Sequence, residues 1–393
     1  MSVEKNLKLI GLFSFLTGCL FLIPVLLPYY KDHVGIGYEG LLLGEAAFSA
    51  SCILFDVPTS WISDVWRRKQ SLALGSGFIC LGLCIILFAK NIWHVILAQI
   101  VWGVGFSLLN GTHTAMIYDS LLVLHRENEY RRWEGRRQAF SLYGIALAGT
   151  IGGFTYAANS FLPIYLSMAA QLGGFLTVLL MREPERHKQL GAKHPVSDIV
   201  ETIKFVTRGH AELGIVIVSA AILFSATKIV MWSQQPYFLA LHLPEQYYGV
   251  LMAVGWLLGG LSSHGAHLLD GRIKIFPTLT LAFGAAIIAS AGAAAYLGFS
   301  GVAVLMIGGS CIFGMTAPRV NEAINRSVGS ERRATALSTL SLFQASLFIP
   351  LSSIIGWISD RETIQTALFA LALWLVVAGA GLLSLKAMRV KAR

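Results

Sequence analysis

Seven side chains able to do chemistry stand inside stretches that are otherwise apolar: Glu45, Asp56, Asn110, His113, Lys228, Gln234 and Gln235. Removing a carboxyl group from water favours its neutral form, so the chemistry open to Asp56 is the loading and release of a proton. Pro58 follows two residues later and frees a backbone carbonyl that the acid or a water could organise. A structural partner beside a proline kink is the competing reading. Lys228 lies about 17 residues into its apolar segment, which puts it roughly 25 Å from one end of a helix. An ammonium there can be solvated by a cavity, paired with an acid such as Glu45, or used to attract an anionic solute. It can also snorkel to the far interface. Glu45, a turn or two from the start of its own segment, reads more naturally as a rim residue.

Asn110, Thr112, His113 and Thr114 form a polar break in an apolar run. Imidazole changes charge near physiological pH, although an internal histidine satisfied by its neighbours is the commoner arrangement. The run Ser233, Gln234, Gln235, Pro236 and Tyr237 is polar and proline-interrupted, which suits the lining of a cavity. Trp102, Tyr118, Tyr143, Trp232, Tyr237 and Trp256 supply aromatic surface for such a cavity or for lipid.

Other arrangements point away from catalysis. Cys80 and Cys84 share a helix face without a His, Asp or Glu on the same segment, so the cysteines read as small buried hydrophobes. His264, His267 and Asp270 look like a metal triad only on paper, since no further acid shares their face. Ser338 and Ser341 lack a paired histidine, and no phosphate-binding glycine loop is present. The expectation is no catalytic residue, no metal and no cofactor. A net charge of +9 could suggest nucleic acid, but the basic residues sit in short clusters between apolar runs, with no aromatic groove.

Only 13% of the residues are charged and 55% are hydrophobic, against about 25% charged in soluble domains. Residues 138–181 and 275–318 carry no Asp, Glu, Lys or Arg, each over 44 residues. One crossing of the hydrocarbon needs about 20 residues, so each stretch is two crossings joined by a turn. Apolar windows predict twelve helices, over 8–30, 40–63, 70–89, 92–121, 137–157, 160–181, 211–241, 245–269, 275–297, 300–322, 334–359 and 363–385. With both termini cytoplasmic, 26 of the 30 Lys and Arg fall on the inner side, a strong positive-inside pattern. The expected fold is an all-α membrane protein of 12 transmembrane helices in two six-helix bundles, 1–181 and 211–393. They are joined by a linker, 182–210, in which His194 to His210 can form an amphipathic helix.

The halves echo each other. Each has an acid and a base four residues apart after its second helix, Asp64 with Arg68 and Asp270 with Lys274. Each leads into its fifth helix with two arginines, Arg136–Arg137 and Arg332–Arg333. Internal repetition of this kind is common in transporters, with the site between the repeats.

At these residues the chain resembles the major facilitator superfamily. The segment from Asp56 to Lys69 is similar to that family's Gly-x-x-x-Asp-x-x-Gly-Arg-Arg/Lys signature: Asp64, Arg68 and Lys69 fit, and Ser60 and Arg67 stand where glycines are usual. The resemblance implies a pseudo-twofold fold, a cavity lined by helix seven, and a cytoplasmic gate of Asp64, Arg68 and Asp119, echoed by Asp270 and Lys274. Topology signals are the plainer reading of these charges. The family's proton-coupled drug antiporters carry an arginine where Gln99 stands and a Gly-Pro-x-x-Gly-Gly run where residues 148–153 begin with Ala148–Gly149; Gly144, Gly152 and Gly153 still permit close helix packing.

The function implied is secondary transport of a small organic solute by alternating access, in a monomer of the bacterial cytoplasmic (inner) membrane driven by an ion gradient, H⁺ in the first reading. Proton-coupled efflux of an amphiphilic drug or metabolite is the leading form. Import of an anionic or chelating solute such as a siderophore, with Lys228 as counter-charge, is the second, and a non-transporting membrane receptor the third.

Overall fold

A chain crossing hydrocarbon must satisfy its own backbone polar groups, and this one does so with helices. The computed structural model describes residues 3–65, 67–184, 211–269, 273–328 and 333–391, with backbone alone at 57, 60–65, 211, 269, 334 and 385–391. Among the described residues twelve helical rods follow in order. Helix one has two segments, Glu4–Gly18 and Leu26–His33; helix two is Tyr38–Val65, and helix three Arg68–Leu87. Helix four is Ile92–Leu109 and Thr112–Val123, helix five Tyr130–Ala158, and helix six Leu162–Leu179. Helix seven is Ala211–Trp232 and Gln234–Ala240, helix eight Tyr248–Gly265, and helix nine Ile275–Ala295. Helix ten runs through Phe299–Met306, a π turn at Ile307–Cys311 and Ile312–Ser327; helices eleven and twelve are Arg333–Arg361 and Ile364–Lys391. Ten candidate spans are long and apolar enough to cross a membrane. Helices five and eight fall outside that count because glycines dilute their apolar runs.

Local chemistry sets several ends. The Asn91 side chain accepts from the backbone N–H groups of Trp93 and His94 and caps helix four. Pro163 occupies the first turn of helix six, where a missing N–H costs nothing. Helix four is interrupted at Gly111, whose φ of +76° is open to glycine at little cost.

The chain divides into two compact units, Met1–Gly191 with Pro244–Ala253, and Ala192–Leu243 with Val254–Arg393. The amphipathic helix expected over 194–210 lies outside the described residues. In the first unit, Leu7, Ile10 and Phe13 of helix one, Leu72 of helix three, Met116, Ile117 and Leu121 of helix four, and Val178 after helix six's midpoint form one buried cluster. Helix five packs through its small residues. A Cβ at Gly144 would overlap the carbonyl oxygen of Phe15 in helix one, and one at Gly152 that of Phe21 in the turn between that helix's two segments. On another face, a Cβ at Gly249 would overlap the Gly149 carbonyl, and one at Gly153 would come to 2.5 Å from the Glu245 carbonyl oxygen. The start of helix eight therefore belongs with the first six helices because glycines let the backbones touch.

In the second unit, the Ser225 hydroxyl of helix seven donates to the Gln344 carbonyl of helix eleven at 2.8 Å. Gln365 of helix twelve donates to the Ala294 carbonyl of helix nine at 3.0 Å. Gly249→Ala should lower stability by about 1–3 kcal/mol, the usual cost of overpacking, read as a lower unfolding midpoint in detergent. Gly284→Ala, with nothing within 4 Å of the added atom, should leave the midpoint unchanged or raised.

Candidate functional site

Many of the basic residues gather at the end of the first unit that carries Glu4 and Arg68. Helix two stops at Val65, and helix three starts at Arg68 after an extended Arg67 with φ −82° and ψ 136°. Asp64 and Arg68 therefore do not share a helical turn, which corrects the spacing expected for them; the Asp64 side chain lies outside the described residues. Arg68 reaches helix four instead, its Nε 3.3 Å from Oδ2 of Asp119, with the side chains 15% and 16% exposed. The contact that the family resemblance implied between these two is made.

Sequence reasoning missed the carboxylate that completes this corner. Glu183, just beyond helix six, accepts from the backbone N–H of Arg68 at 2.7 Å through Oε1 and from that of Lys69 at 2.8 Å through Oε2. It satisfies two orphan donors at the positive end of helix three. The Lys69 ammonium donates to the Leu179 carbonyl at 2.7 Å. Asn6, buried in helix one, donates to the Ser120 hydroxyl at 3.2 Å and to the Arg182 carbonyl at 2.7 Å, and accepts from the Arg182 N–H at 2.9 Å. No motif announces Glu183 or Asn6; only polarity at the edge of an apolar run marks them.

Two further arginines are held by helical neighbours. Arg137, buried, donates to Glu134 at 2.6 Å. Arg126 pairs with Glu129 at 2.7 Å and reaches Glu4 at 3.1 Å. The hydrogen bonds from Arg126 hold the Glu129 carboxyl below its ordinary pKa.

Deeper in this unit, Asp56 is half-buried on helix two, and Asn110 at the break in helix four donates to its Oδ1 at 3.4 Å. His113 sits one turn further on, with Nδ1 against the Leu109 carbonyl. Glu45 is not the rim residue its position suggested. It is 7% exposed, and its neighbour Gly44 lies against Val95 and Gln99 of helix four. Gln99 in turn donates to the Tyr30 hydroxyl at 3.5 Å.

In the second unit, the Lys228 ammonium stands 4.2 Å from the ring centroid of Phe348 in helix eleven. A cation over a desolvated aromatic face is stabilised by the ring quadrupole, and Phe348 was not singled out from sequence. Ser233, Gln234 and Gln235 are all buried at the break in helix seven. The Tyr237 hydroxyl donates to the Tyr296 carbonyl at 2.7 Å and accepts from the Gly298 N–H at 3.3 Å. Trp102, Trp232 and Tyr237 are buried, whereas Tyr118 and Tyr143 are exposed.

The echo of the basic corner is built differently. Lys274 is the extended residue before helix nine, with φ −70° and ψ 164°; Asp270 lies outside the described residues. Arg319 of helix ten, buried, donates instead to the Ile273 carbonyl. Nδ1 of His267 lies 2.7 Å from the His264 carbonyl, and among the described residues no group of three or more His, Cys, Asp or Glu is placed to hold a metal ion.

Two packed helical units with charges at their loop corners and a few polar groups held deep in the spans define a membrane transporter. The sequence matches the profile of the Major Facilitator Superfamily over residues 9–349, and the chain belongs to that superfamily of secondary transporters. An "Uncharacterized MFS-type transporter YxaM" of Bacillus subtilis is 23% identical over 232 residues, 57% of this chain and 55% of that protein. An "Uncharacterized transporter" of Buchnera aphidicola is 26% identical over 144 residues, 36% of this chain and 32% of the other. The matches thus span a third to about half of the curated relatives. Among solved structures, the D323A mutant of the nucleoside transporter NupG superposes with a TM-score of 0.82 at 14% identity, covering 96% of this chain and 99% of that one. The D-xylose-proton symporter superposes at 0.70 with 14% identity, covering 97% of both. At these identities the likeness is one of fold.

Glu183→Ala, which uncaps helix three, should destabilise the chain by about 0.5–2 kcal/mol, the range for losing a helix cap. Thermal unfolding in detergent would register it, and Glu183→Asp should recover only part.

Proposed function

We propose that this chain moves a small organic solute across the bacterial cytoplasmic membrane by proton-coupled alternating access, as a monomer with both termini in the cytoplasm. The observation that carries the reading is Asp56, an acid inside a span whose hydrogen bond from Asn110 is long at 3.4 Å. A carboxyl group within a span that meets a neutral amide has no opposite charge holding it ionised, which leaves it open to carrying a proton. Asp64, Arg68 and Asp119 are the proposed cytoplasmic gate, with Asp270 and Lys274 its counterpart. The buried Gln234 and Gln235 with Lys228 are the proposed solute contacts, and Glu45 supports the helix that carries Asp56.

Two directions of transport follow from two features. The aromatic and aliphatic surroundings support efflux of an amphiphilic drug or metabolite in exchange for protons. Lys228 on the face of Phe348 supports import of an anionic solute, since an ammonium at that depth attracts negative charge. The proteins of similar fold include one titled as a proton symporter and one titled as a nucleoside transporter, which keeps sugars and nucleosides within the range of solutes.

Proteoliposomes enclosing a pH dye, offered ethidium, uridine, D-xylose and a ferric hydroxamate in turn, test coupling and direction together. Wild-type protein should move protons with one of these solutes, and Asp56→Asn should abolish driven accumulation while sparing exchange of labelled for unlabelled solute. Wild-type accumulation by Asp56→Asn would sink proton coupling at this residue. Lys228→Ala should cost an anionic solute about tenfold or more in KM, in keeping with the loss of a desolvated charge contact, and leave ethidium unaffected. Equal loss for both would remove the importer reading.

A further inference from the structure

Given the proton reading of Asp56, a path for that proton can be followed along helix four. The helix breaks at Asn110 and Gly111, and Asn110 is the residue that touches Asp56. His113 follows three residues later, an advance of about 4.5 Å along a helix. Its Nδ1 faces the Leu109 carbonyl. A carbonyl oxygen only accepts, so Nδ1 carries the hydrogen and Nε2 is the basic nitrogen of the neutral ring. Nε2 has no hydrogen-bond partner among the described residues.

We infer that His113 is a proton relay between Asp56 and the basic end of the first unit, accepting and releasing the proton at Nε2. In the forward step the Asp56 O–H bond breaks, a water carries the proton, and an N–H bond forms at Nε2. That bond then breaks to water at the basic end. The Nδ1–H bond stays on the Leu109 carbonyl throughout, so one proton enters and one leaves, and the ring returns to its starting tautomer.

The surroundings suit a carrier more than a store. Helix five brings Glu134, Arg137 and Tyr130 to this region, and the first two act electrostatically on the ring. Glu134 and Arg137 are bound to each other at 2.6 Å, so the imidazolium meets one charge of each sign. The ring is also removed from water, a setting in which an imidazolium is short-lived, so the ring hands a proton on and does not keep it. The other elements packed on this segment spend their charges elsewhere. Helix three brings Arg68 to Asp119, and helix one meets the segment through Asn6 at Ser120 and carries Glu4 to Arg126.

The test uses the purified full chain in detergent, jumped in pH, with pyranine reporting protons released to solution. Asp56→Asn should remove one release phase. His113→Gln should keep the amplitude of that phase and slow it by about a hundredfold, the lower range for a lost acid–base group. Where His113→Gln is not monodisperse, His113→Ala with added imidazole should restore the rate. An unchanged rate in His113→Gln overturns the relay while leaving Asp56 as the proton site. Loss of amplitude in His113→Gln overturns it too, since the stored proton would then sit on the imidazole. An unchanged trace in Asp56→Asn would remove the proton reading of Asp56 and the relay with it.

Discussion

Hydrocarbon offers no hydrogen bonds, so every place where a span stops being a helix must be repaired by the protein itself. The breaks here follow that rule. When helix four lets go at Asn110 and Gly111, the Leu109 carbonyl loses its helical partner and the His113 ring takes it. At the junction in helix seven the Ile229 carbonyl keeps the Ser233 N–H and takes the Ser233 hydroxyl as well, both at 2.8 Å. Where helix nine ends, the Tyr237 hydroxyl takes the Tyr296 carbonyl. The side chains that repair the backbone are among those that sequence patterning picks out as chemically able. A break in a span thus brings polar side chains to a depth where the unbroken helix would have none.

The same constraint governs the loop corners by a different route. Charges at the membrane edge are tolerated, but the ends of helices there carry unsatisfied N–H and C=O groups. Glu183 answers the start of helix three, Asn6 ties the chain after helix six to helices one and four, and Arg319 answers the chain before helix nine. Arg68 and Asp119 add an ion pair that is mostly shielded, where Coulomb attraction exceeds its value in water. The corner is therefore held by backbone contacts as much as by the charge pair, and an acidic residue outside any motif does a share of the work.

The number, order and approximate limits of the spans were legible because hydrophobicity must fill the membrane width and basic residues must avoid the outer side. The family was legible from one loop. Less legible was anything that depends on where a helix stops. The four-residue spacing of Asp64 and Arg68 reads as one helical turn, but an extended Arg67 intervenes, and spacing counts only within a continuous helix. Glu45 looked like a rim residue because its distance from the segment end is plain in the sequence, while the direction its face turns is not. Phe348 and Glu183 were invisible because they matter through residues 120 and 115 positions away. Pairings of that kind are written in the packing of helices and not in their periodicity.

Asp56 and Asp119 show how two acids in one unit come to differ. Asp119 meets a guanidinium at 3.3 Å, a full opposite charge. Asp56 meets an amide at 3.4 Å within the span; an amide can donate to a carboxylate or accept from a carboxylic acid by rotating about its own axis. The first partner is a charge and the second a neutral group that can turn. Lys228 represents a third arrangement, a cation set against the face of an aromatic ring that its quadrupole stabilises. The three differ in what faces them: an opposite charge, a neutral amide and an aromatic ring. What a polar residue within a span can do is set less by its type than by the partner that helix packing brings to it.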